Sequence, residues 1–255
     1  MKVEFSNRVV LSAMAGINNA EFCKQHPVGL AVLGGFNADD ASNSAAEEVV
    51  KRGRKEFVLD DPRKGIEQEV RSLRESNKNF ALNIRSAHLD GYLMTAEIAE
   101  RYGGLLEINA HCRQPEFMDI GCGQWLMYHP QELASVIKEI SHTADVPVGV
   151  KMRGGISGVD YLQLSKILKS SGCSFIHLDA MIEGGGCDLK LISRLAKENF
   201  VIGNNSVSNI ASAEMMLVSE AKLVSAARSP LRDSQFFERL LESDELREPL
   251  EVEFN

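Results

Sequence analysis

Residues 105–129 read LLEINAHCRQPEFMDIGCGQWLMYH, the densest piece of chemistry in the chain. Gly103 and Gly104 break the chain just before it, and Leu105, Leu106 and Ile108 then read as a buried strand. That strand delivers Glu107, Asn109, His111 and Cys112 at its C-terminal end. A loop with Gln114 and Pro115 follows, then Gly121-Cys122-Gly123 and an apolar turn through Trp125 and Met127. A strand that ends in Asn, His and Cys and passes into a Gly-rich turn has the form of a βα active-site loop. The bland alternative is a buried strand with an incidental Cys, which often serves as a small hydrophobe.

Working outward, the same unit recurs. Before it come apolar stretches at 9–17 (VVLSAMAGI), 29–36 (GLAVLGGF) and 78–86 (KNFALNIRS). After it come 146–153 (VPVGVKMR), 173–181 (CSFIHLDAM), 200–204 (FVIGN) and 221–227 (AKLVSAA). Helical patterns separate them. Residues 38–52 are rich in Ala and Glu. Pro62 opens a helix with Ile66, Val70 and Leu73 on one face, and Pro130 opens another with Leu133, Val136, Ile137 and Ile140. Asp188 and Ser208 read as helix caps. Eight apolar strands, each followed by a helix, predict a parallel sheet. Eight units in about 250 residues predict one closed (β/α)8 TIM barrel over 1–255, with a short charged tail from about 244. A doubly wound open sheet is the alternative, but its glycine fingerprint is missing after residue 17.

The bulk properties set limits on function. The formal charge of −8 tells against a general nucleic-acid binder, which carries a basic balance or stripe. Five scattered cysteines without a CxxC pair predict a reduced, intracellular protein. MKVEFSNR lacks a signal-peptide core and no apolar run reaches membrane-spanning length, so the expected location is the cytoplasm. His111-Cys112 with a distant Cys122 lacks a zinc spacing, and no metal site is expected.

In a barrel the active site forms at the C-terminal strand ends. Those ends carry Ser12 and Met14; Asn83 and Arg85; Asn109, His111 and Cys112; Lys151 and Arg153; His177 and Asp179; Asn204 and Asn205; Arg228 and Ser229. The i, i+2 pairs face one side of their strand. A lysine on an apolar barrel strand is costly to bury without a negative partner, so Lys151 marks either a functional site or an ion pair with Asp179 or Glu107.

These segments resemble the flavin-dependent barrels of the dihydrouridine synthase and dihydroorotate dehydrogenase superfamily. LSAMAGINNAEF (11–22) is similar to the family's opening strand, and 107–127 to its N-x-G-C-P loop with a G-x-G turn. VPVGVKMRGG (146–155) resembles its P-V-x-V-K-x-R-x-G strand, and 201–217 with 224–231 its two flavin-phosphate segments. The shorter archaeal-type relatives of the dihydrouridine synthases look most similar. The resemblance implies an FMN-dependent oxidoreductase acting on a pyrimidine-like C=C bond, free or in tRNA. An external donor such as NAD(P)H would supply electrons. Ala13, Met14, Asn83, Asn109, Lys151, Asn204 and Arg228 would hold the flavin, with Lys151 at its N1/C2 edge, where a fixed cation stabilises the reduced ring. Cys112 would donate a proton, as a thiol can near neutral pH. His111 and Arg153 would meet the substrate, and His177 and Asp179 would join the catalysis.

The chain departs from that pattern at several points. G-C-P reads His111-Cys112-Arg113, and Asp179 and Met181 stand where the family has His and Arg, with His177 two residues earlier. The phosphate turns N-G-D and G-R-G read Asn204-Asn205-Ser206 and Ala227-Arg228-Ser229, although glycine eases close approach to phosphate. The dihydrouridine synthases carry a C-terminal helical domain for tRNA, and here only a short segment follows the last barrel helix. Two other readings stay open: a flavin-free lyase or isomerase using Lys151, and a non-catalytic nucleotide- or RNA-binding barrel. The oligomeric state is left open.

Overall fold

A computed structural model describes residues 1–254. Its strands are β1 (Lys2–Phe5), β2 (Val9–Leu11), β3 (Leu30–Asn37), β4 (Phe80–Arg85), β5 (Leu105–Ala110), β6 (Val148–Arg153), β7 (Phe175–Asp179), β8 (Val201–Asn204), β9 (Leu223–Ala226) and β10 (Leu250–Glu253). Strands β2 to β9 form a closed barrel in sequence order, every pair parallel, with helices between them. The expected (β/α)8 TIM barrel is therefore the fold. Among the described residues no helix is long and apolar enough to cross a membrane.

The helices start where side chains can take up free backbone N–H groups. Asp39 and Ser42 form a capping box ahead of Asp40–Lys51, and Asp61 caps Pro62–Arg74. Asp188 caps Leu189–Ala196, accepting from the N–H of Leu191 at 2.9 Å. Ser208 does not cap the helix that follows it. Asn209 does, in a capping box with Ser212, and the Ser208 N–H donates to the Ser212 hydroxyl instead. The first barrel strand is also shorter than the apolar run 9–17. It stops at Leu11, and the Asn18 side chain holds the following loop by donating to the carbonyls of Ser12 and Val32.

Three apolar clusters result, two of which frame the barrel wall. One lies between barrel and helices and takes Leu106, Ile108, Val150 and Leu178 from the outer strand faces. The other fills the lower barrel with Val10, Leu30, Val32, Ala81, Leu105, Phe175, Ile202 and Leu223. Its floor includes the segment expected to be a charged tail. Residues 244–247 form a helical turn, and β10 pairs antiparallel with β1, bringing Phe254 against the rings of Phe175 and Phe200. Along several strands the inward row turns polar two residues above this core: Ala81 gives way to Asn83, Leu105 to Glu107, Phe175 to His177 and Leu223 to Ser225.

Candidate active site

A hydrogen-bonded chain crosses the upper barrel. Asn109 Nδ2 donates to Asn83 Oδ1 at 2.8 Å, and Asn83 Nδ2 donates to Glu107 Oε1 at 2.6 Å. His177 bridges Glu107 Oε2 and the Ser225 hydroxyl, each at 2.6 Å. Every member is buried. Burial alone would raise the Glu107 carboxyl, yet His177, Lys151 and Asn83 hold it below the usual carboxylate range. Burial and then the nearby Lys151 charge lower the His177 pKa, so its ring is neutral. A neutral ring donating from Nδ1 to Glu107 and accepting at Nε2 from Ser225 satisfies all three groups.

Lys151 stands beside this chain, 4% exposed, and donates to the Ser12 hydroxyl. Burial lowers its pKa, while Glu107 and Asp179 oppose the shift. Asn204 Nδ2 reaches the same hydroxyl at 3.4 Å, which ties β2, β6 and β8 together at their upper ends. Lys151 thus lines the cleft with no carboxylate in contact with it among the described residues.

Nearer the rim, His111 Nε2 lies 2.6 Å from Asp179 Oδ2, and Arg153 Nη1 lies 3.9 Å from the same oxygen. Burial would raise Asp179, but His111, Lys151 and Arg153 keep it low, while burial lowers His111. The pair is therefore a carboxylate accepting from a neutral imidazole. Cys112 is set by its backbone. Asn109 Oδ1 accepts from the N–H groups of His111 and Cys112 at 3.1 and 3.0 Å, and the Gln124 N–H donates to the Cys112 carbonyl at 2.7 Å. Gly123 permits this approach: a Cβ there would lie 2.4 Å from the Cys112 carbonyl oxygen, and its φ is +62°. Arg85 Nη1 then meets the Cys112 Sγ at 3.5 Å.

Above the Glu107–His177–Ser225 layer these groups surround one cleft of about 1030 Å³ at the C-terminal end of the barrel. Ala13, Met14, Asn83, Asn109, Lys151, Asn204 and Arg228 line it, as do His111, Cys112, Arg153 and Asp179. His177 does not; it is fully buried beneath the floor and acts on the site through Glu107. Sequence reasoning gave no role to Arg85, Ser12 or Ser225 and weighed Glu107 only as an ion-pair partner for Lys151. Glu107 had a usable signal, a charge on the inward row two residues before Asn109. Glu56 was missed outright. It forms a buried ion pair with Arg85, with side chains 4% and 1% exposed. It comes from the loop between the helices Asp40–Lys51 and Pro62–Arg74, away from every barrel strand end.

The first of the two altered phosphate turns keeps a glycine-like backbone, while Arg228 in the second is right-handed at φ −81°. Asn205 and Ser206 take φ of +102° and +57°, a region in which few side chains are comfortable. Asn204 Oδ1 accepts the Asn205 N–H at 2.7 Å, while the N–H groups of Ser206 and Val207 meet no acceptor among the described residues. These free donors, with Arg228 on the same cleft wall, make a cradle suited to an anion. Among the described residues no group of three or more His, Cys, Asp or Glu is arranged to hold a metal ion.

Comparison with known proteins agrees with the fold and with the family resemblance. A point mutant of FabK from Thermotoga maritima has a similar fold, with a TM-score of 0.57 at 11% identity over 95% of this chain; this chain spans 65% of that one. An uncharacterized protein of Methanocaldococcus jannaschii is 30% identical over 242 residues, covering 90% of this chain and 91% of the relative. The dihydrouridine synthase (Dus) family model matches residues 59–232, which includes β4 through β9 and the 105–129 loop. The chain belongs to the dihydrouridine synthase family.

Proposed function

We propose that this protein is an FMN-dependent oxidoreductase that reduces a pyrimidine-like C=C bond, with Cys112 as proton donor and Lys151 as the flavin's cation. The observation that carries this reading is the one cleft joining a buried Lys151, an accessible Cys112 and the Asn205-Ser206 cradle. Those residues fit FMN: the cradle and Arg228 suit its phosphate, and Lys151 suits the negative edge of its reduced ring. When bound in reduced form, FMN supplies a hydride to one carbon of the double bond.

The chain's own residues supply the rest. Lys151 holds negative charge on the ring from a pocket where burial strengthens the interaction. Asn109 keeps Cys112 in place through the two N–H groups that it accepts. Cys112 gives its thiol proton to the neighbouring carbon, so an S–H bond breaks as a C–H bond forms. The thiolate left behind has the Arg85 guanidinium at 3.5 Å, and solvent returns the proton through the open cleft. His111 and Asp179 stand at the rim beside the substrate. An external donor such as NAD(P)H, with tRNA or a free pyrimidine as the electron acceptor, completes the turnover.

The test is the absorbance spectrum of protein purified without added cofactor and again after soaking in FMN. Flavin bands are expected, and they weaken in Lys151→Met and Arg228→Gln. A protein that stays colourless after soaking would sink the proposal. The depressed Lys151 pKa favours one rival, a flavin-free lyase that uses a neutral amine for Schiff-base chemistry. Borohydride trapping of a carbonyl ligand on Lys151 in colourless protein would select it.

A further inference from the structure

The contact between His111 and Asp179 fixes which ring nitrogen carries a hydrogen. Asp179 is an ionised carboxylate and can only accept, and its Oδ2 lies 2.6 Å from His111 Nε2. Nε2 therefore holds the hydrogen. Burial keeps the ring from taking a second one, so Nδ1 is bare and can only accept. Nδ1 has no partner among the described residues, and it is not one of the polar atoms sealed from solvent. With 29% of its side chain exposed, His111 lines the cleft and offers an acceptor there.

A donor stands beside that acceptor. Arg153 Nη1 lies 3.9 Å from the same Asp179 oxygen, so a single atom joins the two side chains. Arg153 and Asp179 are also register partners on β6 and β7, and His111 follows the last residue of β5, the next strand over. The Arg153 guanidinium meets the Met181 sulfur, a weak acceptor, and no oxygen within hydrogen-bond distance among the described residues. Asp179 thus ties a neutral acceptor and a donor with spare N–H groups to one edge of the cleft.

An acceptor beside a donor is a template for an N–H beside a C=O. A uracil ring shows that pattern at N3–H and the carbonyls that flank it. A cytosine ring reverses part of it: its N3 is a lone pair, and an amino group replaces one carbonyl. Its lone pair would face that of Nδ1, and its amino group would face a guanidinium. A desolvated site rejects a ring that leaves such groups unpaired. In the family pattern a glycine stands at the place of His111 and a histidine at that of Asp179, so this pair belongs to the present chain and not to the pattern.

We propose that His111 is a specificity-determining residue whose Nδ1 accepts the imide N3–H of the base to be reduced, that Asp179 positions it, and that Arg153 donates to the adjoining carbonyl. This rests on the pyrimidine-reducing reading and names the group that selects the ring. Selection is coupled to the chemistry through Asn109, whose Oδ1 accepts from the N–H groups of both His111 and Cys112, at 3.1 and 3.0 Å. One side chain therefore holds the selecting ring and the proposed proton donor together.

The test titrates the full chain, soaked in FMN, with 1-methyluracil, 1,3-dimethyluracil and 1-methylcytosine, and follows the flavin absorbance. The titration is repeated with uridine, 3-methyluridine or cytidine at the centre of a short single-stranded RNA. The base with a free N3–H is expected to bind at least about tenfold more tightly than either of the others. His111→Phe keeps a ring without the acceptor and should bring that ratio toward one. Asp179→Asn offers Nε2 an oxygen or an N–H alike, no longer imposes the tautomer, and should shrink the ratio several-fold. Nitrogen-15 spectra of the imidazoles, with the His111 signal identified by its loss in His111→Phe, should show a hydrogen on Nε2 and none on Nδ1 at neutral pH. A preference seen only within RNA supports the selector with a strand-borne base, and one seen with the free bases as well supports it with the base alone. Equal affinity with and without the N3 methyl group, a preference that survives in His111→Phe, or a hydrogen on Nδ1 overturns the assignment of His111 and leaves the pyrimidine reading standing. Binding of none of the bases, in either form, to protein that has taken up FMN overturns the pyrimidine reading and the assignment with it.

Discussion

Glu56→Ala is the substitution whose outcome the structure fixes most tightly. Arg85 is 1% exposed and Glu56 is its only carboxylate partner among the described residues. Without Glu56 the guanidinium keeps the Gly35 carbonyl at 3.0 Å, the Cys112 sulfur at 3.5 Å and the Phe117 ring at 3.8 Å, none of them an anion. Its Nε already lacks a partner. Arginine cannot escape by losing its proton, so an uncompensated charge stays buried. Breaking such a pair from one side costs about 3–5 kcal/mol. Glu56 borders the cleft, so water can enter and the lower figure, about 3 kcal/mol, is expected. At roughly 2–4 °C per kcal/mol for a chain of this size, Tm should fall by roughly 6–12 °C. Urea unfolding followed by the single tryptophan, Trp125, gives the free energy. Adding Arg85→Met to Glu56→Ala should restore much of the loss, because apolar groups replace both charges. A Glu56→Ala loss below about 1 kcal/mol, or a double variant that loses the sum of the two singles, would refute this account of the pair.

Other outcomes follow from the same geometry. His177 titrates below the ordinary histidine value because burial and Lys151 disfavour its charged form. Below about pH 6.5 the unfolded chain therefore takes up a proton that the folded chain refuses, and stability should fall as pH drops from there toward the folded pKa. Urea midpoints measured between roughly pH 5 and pH 8 should show that slope, reduced in His177→Gln; an unchanged slope would remove His177 from the explanation. Cys112→Ala should keep FMN bands and lower turnover by about 10²–10⁴-fold, the usual weight of a positioned acid, and full activity would end its role as donor. Phe254→Ala should cost about 3–5 kcal/mol by opening the barrel floor beneath Phe175, measured by urea unfolding with FMN uptake unchanged.

The barrel was legible because its strands are apolar on both faces and punctuated by glycine and proline at each end, which leaves the eightfold alternation visible. Two features of the fold were not. The segment 244–254 looks charged because Glu251 and Glu253 alternate with the half-buried Leu250 and Val252, the pattern of a two-stranded ribbon with one wet face. Residues 204–206 lack the glycine expected for a phosphate turn, yet Asn205 and Ser206 still adopt positive φ. The rule that glycine marks such a backbone reads the cost of a side chain, and asparagine tolerates that cost. In the site, residues at strand ends were found by position alone. Glu56 could not be, because its partner Arg85 is 29 residues away and only the closed barrel brings the two together.

The polar layer under the cleft has a physical logic that stability alone does not supply. Burying Glu107, His177 and Lys151 in one layer costs desolvation that well-packed apolar residues would avoid. The two rows below it show the alternative, a dry interior of Leu, Val, Ile and Phe. What the layer does supply is a fixed charge. Glu107 is ionised and directional: one oxygen takes the Asn83 amide and the other takes His177, while Lys151 bonds the Ser12 hydroxyl. Lys151 is thereby attracted to the floor without being neutralised by contact, and the Ser12 hydroxyl holds its amine in place. A lysine in direct contact with a carboxylate would present little field to a ligand above it. One that bonds a hydroxyl and touches no carboxylate keeps more of its field for the cleft it lines, where a ring bearing negative charge would meet it.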